Sequence, residues 1–145
     1  MRDGMSLEHL FDAELEYRPG MPPVASDGEG ELIGSGDGVV HGSRLDGTFC
    51  WTLFEQPGTL VCPMNPILAI VTADSAEVRV EGRGFGRRDR PDDRLWRVAA
   101  TLLFETDDER YGWLNGRLAV WEGTFDAAAH RARYRAYLAP DAQAA

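Results

Sequence analysis

The sequence predicts an all-β fold: a single antiparallel β-barrel of about eight to ten strands, with little or no helix. Apolar and polar residues alternate along several segments, which is the period of a strand with one buried face. The 16 glycines and eight prolines are spread without a repeat, and this favours many short elements joined by turns. A sandwich fits the same signals, but a closed barrel leaves no unpaired sheet edge. We therefore expect one domain over 1–145, with flexible ends at about 1–6 and 139–145.

The first strand is predicted over 10–17. In "LFDAELEY" acidic residues separate the apolar ones, so one face of the strand is buried and the other is solvated. Three prolines within 18–23 end this strand, since proline has no amide hydrogen to donate. Residues 24–30 are predicted to continue as a loop. The buried face of the strand would carry Phe11, Ala13, Leu15 and Tyr17.

The glycine-rich stretch "GSGDGVVHGSRLDG", residues 34–47, is predicted to be a bent pair of strands. The chain contains no lysine, neither glycine run completes G-x-G-x-x-G, and no helix pattern follows, so a phosphate-binding loop is excluded. Gly42 and Gly47 are expected at bends or bulges. The strand segments are placed at 31–34, 39–41 and 45–55. The last of them would bury Leu45, Phe49, Trp51 and Leu53.

The central part of the chain predicts a hairpin followed by a loop. After an irregular start around Pro63 and Pro66, a buried strand over 67–72 is followed by a turn at Asp74 and Ser75 and a strand over 77–82. Residues 84–94, "GFGRRDRPDDR", carry too little apolar surface for a core. We expect them to form a mobile surface loop.

Three further strands are predicted at 95–105, 113–122 and 131–138. The turn between the first two is "TDDER". The segment "FDAAAHRARYRAYLA" has a composition that also suits a helix. We favour a strand because Ala132, Tyr134 and Ala136 alternate with arginines, which is a strand period.

The net charge of −9 and the pI of about 4.7 argue against nucleic acid and anionic membranes as partners, because both bind through cationic groups. The N-terminal residues lack a continuous apolar run, and no later segment has the apolar length of a bilayer span. We expect a cytoplasmic protein with Cys50 and Cys62 as buried thiols. All 15 basic residues are arginine, which suggests GC-rich codons and a bacterial source.

The stretch "LFETDDERYGWLNGRLAVWEGTF" resembles the closing motif of the uncharacterised DUF3237 (UPF0311) family. Gly38, Gly42, Leu45 and Gly47 are similar to that family's glycine-rich run, and "LEHLF" is similar to its opening, so the resemblance spans about 7–138. It implies a calycin-like (lipocalin-like) β-barrel with a central cavity and no family-wide reaction. The chain departs from the family at Cys50-Trp51, where the family has Asp-Trp, and at "TADSA", where it has Asp-Asp-Gly. The closing motif carries Phe104, Glu105, Thr106, Tyr111, Trp113, Leu114, Asn115 and Gly123.

A barrel cavity with aromatic rings and a few polar groups is a common site for small organic ligands. His41, Asp46 and Glu105 are the catalytic candidates, because a flexible imidazole or a carboxylate buried beside aromatic rings can exchange protons near neutral pH. No metal is expected, since the three histidines lack ligand spacing. The ligand-binding candidates are Trp51, Arg79, Glu81, Tyr111, Trp113 and Asn115.

Several of these residues have an equally simple structural explanation. Glu77, Arg79 and Glu81 can form a solvated ladder of opposite charges on one strand. Trp113, eight residues before Trp121 and on the same predicted strand, can pack in the core. Side chains that flank a turn, such as Tyr111 and Asn115, often bond to the backbone.

Three functions follow as alternatives. The first is a barrel that binds an apolar or aromatic metabolite without a cofactor. The second is a cofactor-independent acid–base enzyme, such as an isomerase, dehydratase or cyclase, acting on such a metabolite in the cavity. The third is an accessory protein that acts through a homo-oligomer interface. An interior filled by side chains would argue against the first two.

Overall fold

The computed structural model describes residues 6–18, 31–55 and 59–140. These residues form one closed antiparallel barrel in which each strand pairs with the next and β8 pairs with β1, as the sequence predicted. Most of the predicted proline turn and loop over 18–30 lies outside the described residues. The strands are β1 (Glu8–Tyr17), β2 (Glu31–His41), β3 (Gly47–Glu55), β4 (Val61–Thr72), β5 (Glu77–Arg87), β6 (Leu95–Glu105), β7 (Leu118–Asp126) and β8 (Arg131–Leu138).

Alternation along each strand directs one apolar set into the barrel, where it forms the core. In β8 the buried residues are the ones that the alternation predicted. In β1 the prediction holds for Phe11, Ala13 and Leu15, whereas Tyr17 is only half-buried and Leu10 is buried as well, next to an irregularity in the pairing with β8. Burial of these side chains is the main favourable term for the fold. The fully buried large side chains include Phe11, Val40, Leu68, Ile70, Val80, Leu102 and Trp121.

The arginines of β8 lie on the outer wall between acidic residues of both neighbouring strands. Arg131 and Arg135 face Asp126 and Glu122 of β7, and they face Glu16 and Asp12 of β1. Cross-strand pairs of opposite charge favour this register. The same residues in a helix would not meet these partners, which explains why the strand forms.

β2 is one continuous strand, whereas the sequence predicted two segments. Its glycines Gly36 and Gly38 lie beneath the rings of Trp51 and Phe49, where a Cβ on Gly36 would approach the Trp51 ring to 2.8 Å. The Phe49 ring is closer still to the position of a Cβ on Gly38. The glycine run therefore makes room for large aromatic side chains inside the barrel.

The predicted mobile loop over 84–94 is wrong in its first part, because β5 continues to Arg87. The remaining residues form a short connection that Arg88 holds in place. Its guanidinium donates to the carbonyl oxygens of Thr59 at 2.8 Å and Asp93 at 3.1 Å. β4 likewise begins earlier than predicted, at Val61, and includes both Pro63 and Pro66.

A 3-10 helix, η1 (Glu109–Leu114), occupies the position where the strand 113–122 was predicted to begin. The Asp108 side chain accepts from the Arg110 amide and caps this helix. Trp113 therefore does not share a strand with Trp121, which corrects the predicted pair. Cys62 is buried as expected, but Cys50 is exposed, because its side chain lies on the outer wall.

The two ends of the barrel differ. At the capped end, defined by the connections 42–46, 73–76 and 106–117, η1 covers the interior and buries Leu114 in the same core cluster that contains Leu45. The opposite end is called the cavity end. There the inward side chains at the ends of β1, β3 and β7 and near the starts of β4 and β6 leave a space between them. These residues include Tyr17, Leu53, Met64, Trp96 and Phe125.

Candidate ligand cavity inside the barrel

A cavity of about 70 Å³ lies inside the barrel at the cavity end. Six strands contribute to its lining, each through inward residues near its end, so the alternation that builds the core also places these side chains around the space. Most of the lining is aromatic or aliphatic. The lining residues are Tyr17, Leu53, Cys62, Met64, Trp96, Val98, Phe125 and Tyr134.

A smaller void of about 20 Å³ lies beside the cavity. The two spaces share Tyr17, Leu53, Met64, Val98 and Tyr134 as lining residues, so a modest shift of these side chains would join them. The residues that line only the inner void are Leu15, Trp51, Pro66, Trp121 and Ala132.

Aromatic rings in mutual contact form part of the wall. Tyr17 packs edge-on against Trp51, with 4.4 Å between ring centroids, and lies 4.9 Å from Phe125. Trp121 stacks on Tyr134 at 4.4 Å. Such pairs are stabilising beyond the area that they bury, and this part of the wall presents ring faces and edges to a ligand.

The cavity is small compared with typical ligand pockets, which run from about 300 to 1,000 Å³. An apolar cavity of about 150 Å³ holds a benzene molecule. The described interior therefore accommodates part of a small molecule, such as an oxygen-bearing group or the edge of a ring. A larger ligand requires the lining side chains to move apart.

The cavity lining carries no carboxylate and no imidazole. Its polar groups are the Cys62 thiol, the hydroxyls of Tyr17 and Tyr134, and the indoles of Trp51, Trp96 and Trp121. The Trp51 indole nitrogen donates to the Asp37 carbonyl oxygen at 3.1 Å. This chemistry is suited to binding an apolar molecule and orienting it by one or two hydrogen bonds.

At the capped end, Asp74 accepts hydrogen bonds from the hydroxyls of Thr72 at 2.5 Å and Tyr111 at 2.9 Å. The Thr72 bond, the Tyr111 bond and the nearby Arg110 guanidinium hold the pKa of Asp74 below its usual value. Burial, together with the bond to Asp74, raises the pKa of Tyr111. Arg110 also donates to the Asp74 carbonyl oxygen at 3.0 Å. This network fastens η1 to the turn between β4 and β5.

Two catalytic candidates, His41 and Asp46, are neighbours at the capped end. The His41 Nδ1 atom lies 3.9 Å from an Asp46 carboxylate oxygen, and both side chains are more than half exposed. Nearby, the Arg44 guanidinium lies 3.8 Å from the centre of the Trp113 ring. His41 and Asp46 thus lie on the outside of the capped end, and Trp113 is half-buried against the core there; none of the three lines the interior cavity.

Arg79, Glu81 and Glu105 lie on the outer wall, where all three are exposed. Arg79 faces Glu105 across β5 and β6, and the Glu81 carboxylate lies 3.6 Å from the Arg83 guanidinium. The described ion pairs and hydrogen bonds of His41 do not include Glu105. Two concavities of about 730 and 600 Å³ also lie on the outer wall. Charged side chains line half of the first, whereas the second is lined mainly by apolar residues and includes Trp51, Arg79 and Glu105.

Asn115 fastens the segment that carries η1. Its side chain accepts from the Thr106 amide at 2.9 Å and donates to the Thr106 carbonyl oxygen at 2.9 Å. Of the predicted site residues, Trp51 alone lines the interior space. The structure brings together Tyr111 and Trp113 on η1, and His41 with Asp46, but it does not bring these groups to the cavity. The roles assigned to these residues from the sequence stay predictions.

The sequence arguments missed Cys62, Met64, Trp96 and Phe125 as cavity residues. The available signal was positional, because each is an inward residue near the end of a strand that lies away from η1. The described residues include no group of three or more His, Cys, Asp or Glu side chains placed to share a metal ion. Among the residues that the structure describes, helical segments fall short of the length and apolar character of a membrane span.

The fold and the cavity define a class: an eight-stranded up-and-down antiparallel barrel with a small apolar interior site. No protein-family model and no curated protein sequence matches the chain. A β-barrel-like protein from Acinetobacter baumannii is similar in structure, with a TM-score of 0.72 and 17% identity over 97% of this chain and 99% of its own.

Two other solved structures are similar over almost their full lengths. A conserved protein of unknown function from Rhodopseudomonas palustris has a TM-score of 0.68 and 17% identity, covering 97% of this chain and 100% of its own. An enzyme from Penicillium herquei has a TM-score of 0.62 and 23% identity, covering 97% and 98%. At these identities the similarity establishes the barrel fold alone.

Proposed function

We propose that this protein binds a small apolar or aromatic molecule inside the barrel, at the cavity end. The observation that carries the proposal is the interior cavity of about 70 Å³ whose wall includes Tyr17, Trp96 and Phe125. Burial of apolar ligand surface against such a wall drives binding, and ring edges and faces select flat or aromatic molecules.

Half-buried rings at this end support the proposal. Tyr17, Trp96 and Phe125 pack against the core without being fully buried, so part of each ring remains available for contact. Large aromatic side chains that stay partly exposed around a concave space are typical of ligand sites.

We also propose that the chain is a divergent DUF3237-type barrel. The residues that carry the resemblance build the capped end, where Asn115 bonds to the backbone of Thr106 at both its amide and its carbonyl. The barrel fold of the similar structures is consistent with this proposal.

The acid–base enzyme and the oligomeric accessory protein stay predictions. A similar barrel is an enzyme, and the His41–Asp46 pair could move a proton, but the cavity lining holds neither residue. A ligand found in the cavity would show that His41 is too remote to act on it. A ligand found beside His41 would instead favour the enzyme.

The test of the proposed function is a pair of matched substitutions. Val98 is buried and lines both interior spaces, so Val98→Phe fills them at a cost of about 1–3 kcal/mol in stability. Val120 lies on the outer wall of β7, and Val120→Phe is the control. Titration of acetophenone, followed by tryptophan fluorescence, should give saturable binding to the wild type and to Val120→Phe.

We expect Val98→Phe to lower the affinity for acetophenone at least tenfold. The proposal is wrong if the wild type shows no saturable binding of acetophenone or of toluene, or if Val98→Phe binds as well as Val120→Phe while remaining folded by circular dichroism.

A further inference from the structure

Trp121 carries a buried hydrogen-bond donor without a partner. Its side chain is 1% exposed, and its indole nitrogen has no acceptor among the residues that the structure describes. Buried donors are nearly always paired, because an unpaired one has lost its bonds to water and gained none in return. An unpaired donor next to an empty space therefore indicates a missing acceptor.

The second indole that lines the inner void, that of Trp51, is paired, and the contrast is informative. The Trp51 nitrogen donates to a backbone carbonyl 3.1 Å away. Trp121 is instead held by stacking on Tyr134 at 4.4 Å between ring centroids, with an interplanar angle of 23°. The stack fixes the plane of the Trp121 ring and leaves its N–H available in a defined direction.

Trp121 lines the inner void, whose volume is about 20 Å³. A space of this size accommodates about one water-sized group. The rest of the lining is mostly carbon, from residues such as Leu15, Pro66 and Ala132. A buried water normally needs two to four polar partners, whereas a carbonyl or ether oxygen is satisfied by one good donor.

We propose that the ligand carries an acceptor oxygen, a carbonyl or an ether, at the end that enters the barrel first, and that the Trp121 N–H donates to it. This inference rests on the proposed function and specifies its ligand class: a small aromatic or apolar ketone, aldehyde or ether. The apolar part of the ligand then occupies the cavity of about 70 Å³, whose lining side chains, Trp96 and Phe125 among them, must move apart to admit a whole ring.

Acetophenone and α-methylstyrene test this inference, because they have the same shape and differ in a C=O against a C=CH₂ group. In the wild type, acetophenone should move the Trp121 indole proton downfield in ¹H–¹⁵N spectra, and α-methylstyrene should not. Trp121→Phe identifies the resonance. It should lower the affinity for acetophenone about tenfold and change that for α-methylstyrene less than about twofold.

Trp51→Phe is the matched control, since its N–H is already paired, and it should change both affinities by the same factor. If Trp121→Phe does not fold, single Phe substitutions of the other three tryptophans assign the Trp121 resonance by elimination, and the wild-type spectra then decide the question. Binding of both probes with an unmoved Trp121 proton would overturn the inference and leave the proposed function intact. Binding of neither probe to the wild type would overturn both.

Discussion

The two ends of the barrel use similar residues for different purposes. At each end an arginine covers a tryptophan: Arg44 lies 3.8 Å from the Trp113 ring at the capped end, and Arg88 lies 4.3 Å from the Trp96 ring at the cavity end. At the capped end η1 fills the interior with Leu114. At the cavity end the side chains around Trp96 leave a space.

This difference separates stability from binding. The capped end is rich in polar groups, but these bond to one another, as Asp74 does with Thr72 and Tyr111. The cavity end is poor in polar groups, and its inward side chains leave a cavity of about 70 Å³. The polar end therefore stabilises the fold, and the apolar end is the one with space for a ligand.

The largest effect on the capped end should come from Leu114→Ala. Leu114 is fully buried, so its truncation should lower the free energy of unfolding by about 2–5 kcal/mol, as lost burial and a new cavity combine. Urea denaturation measures this change. Leu118→Ala, at a residue that is 39% exposed, is the control and should cost far less. An equal loss in both variants would show that η1 does not close the barrel.

The two arginine-covered tryptophans give a matched pair of variants. Trp96→Leu removes a ring from the cavity wall and should lower the affinity for acetophenone about five- to tenfold. Trp113→Leu should leave that affinity within about twofold, because Trp113 does not line the cavity. Fluorescence of the remaining tryptophans follows both titrations. The reverse result would move the binding site to the capped end.

A smaller effect, which depends on pH, is expected for Asp74→Asn. The pKa of Asp74 lies below the ordinary value of 3.8, so its charged form is favoured in the folded state. Its contribution to stability is therefore present above pH 3.8 and is lost as the pH falls through the lowered pKa. The difference in thermal midpoint between wild type and Asp74→Asn should shrink below pH 3.8.

Glu81→Gln is the control for that experiment, since Glu81 is exposed and has an ion pair of 3.6 Å with Arg83. Thermal melts between pH 2.5 and 7 compare the three proteins. A difference between wild type and Asp74→Asn that stays constant across this range would contradict the assigned network.

The strands were predictable because alternation is a local signal. The pattern of β8, and most of that of β1, fixed which residues are buried, and the charges on β8 agreed with the strand rather than the helix. The helix η1 was not predictable, because the burial of Leu114 in the barrel core and the bonds of Arg110 and Tyr111 to Asp74 join segments that are distant in the sequence. The extension of β5 to Arg87 depends in the same way on pairing with β6.

The site was harder to predict than the fold. Polar residues such as Arg79 and Glu105 attract attention in a sequence, but a closed barrel directs them outward, where they face each other across strands. The cavity arises instead from the sizes of inward side chains that meet from six strands, such as Met64, Val98 and Phe125. A single sequence does not reveal which inward positions leave a gap.

The most direct test of the central claim is a map of backbone amide shifts in the wild-type protein titrated with acetophenone. The largest shifts should fall at the cavity end, around Leu53, Met64, Trp96 and Phe125, and residues 109–114 of η1 should remain unmoved. Shifts concentrated on η1 and on His41, with the cavity end unmoved, would contradict the proposal that the ligand binds inside the barrel.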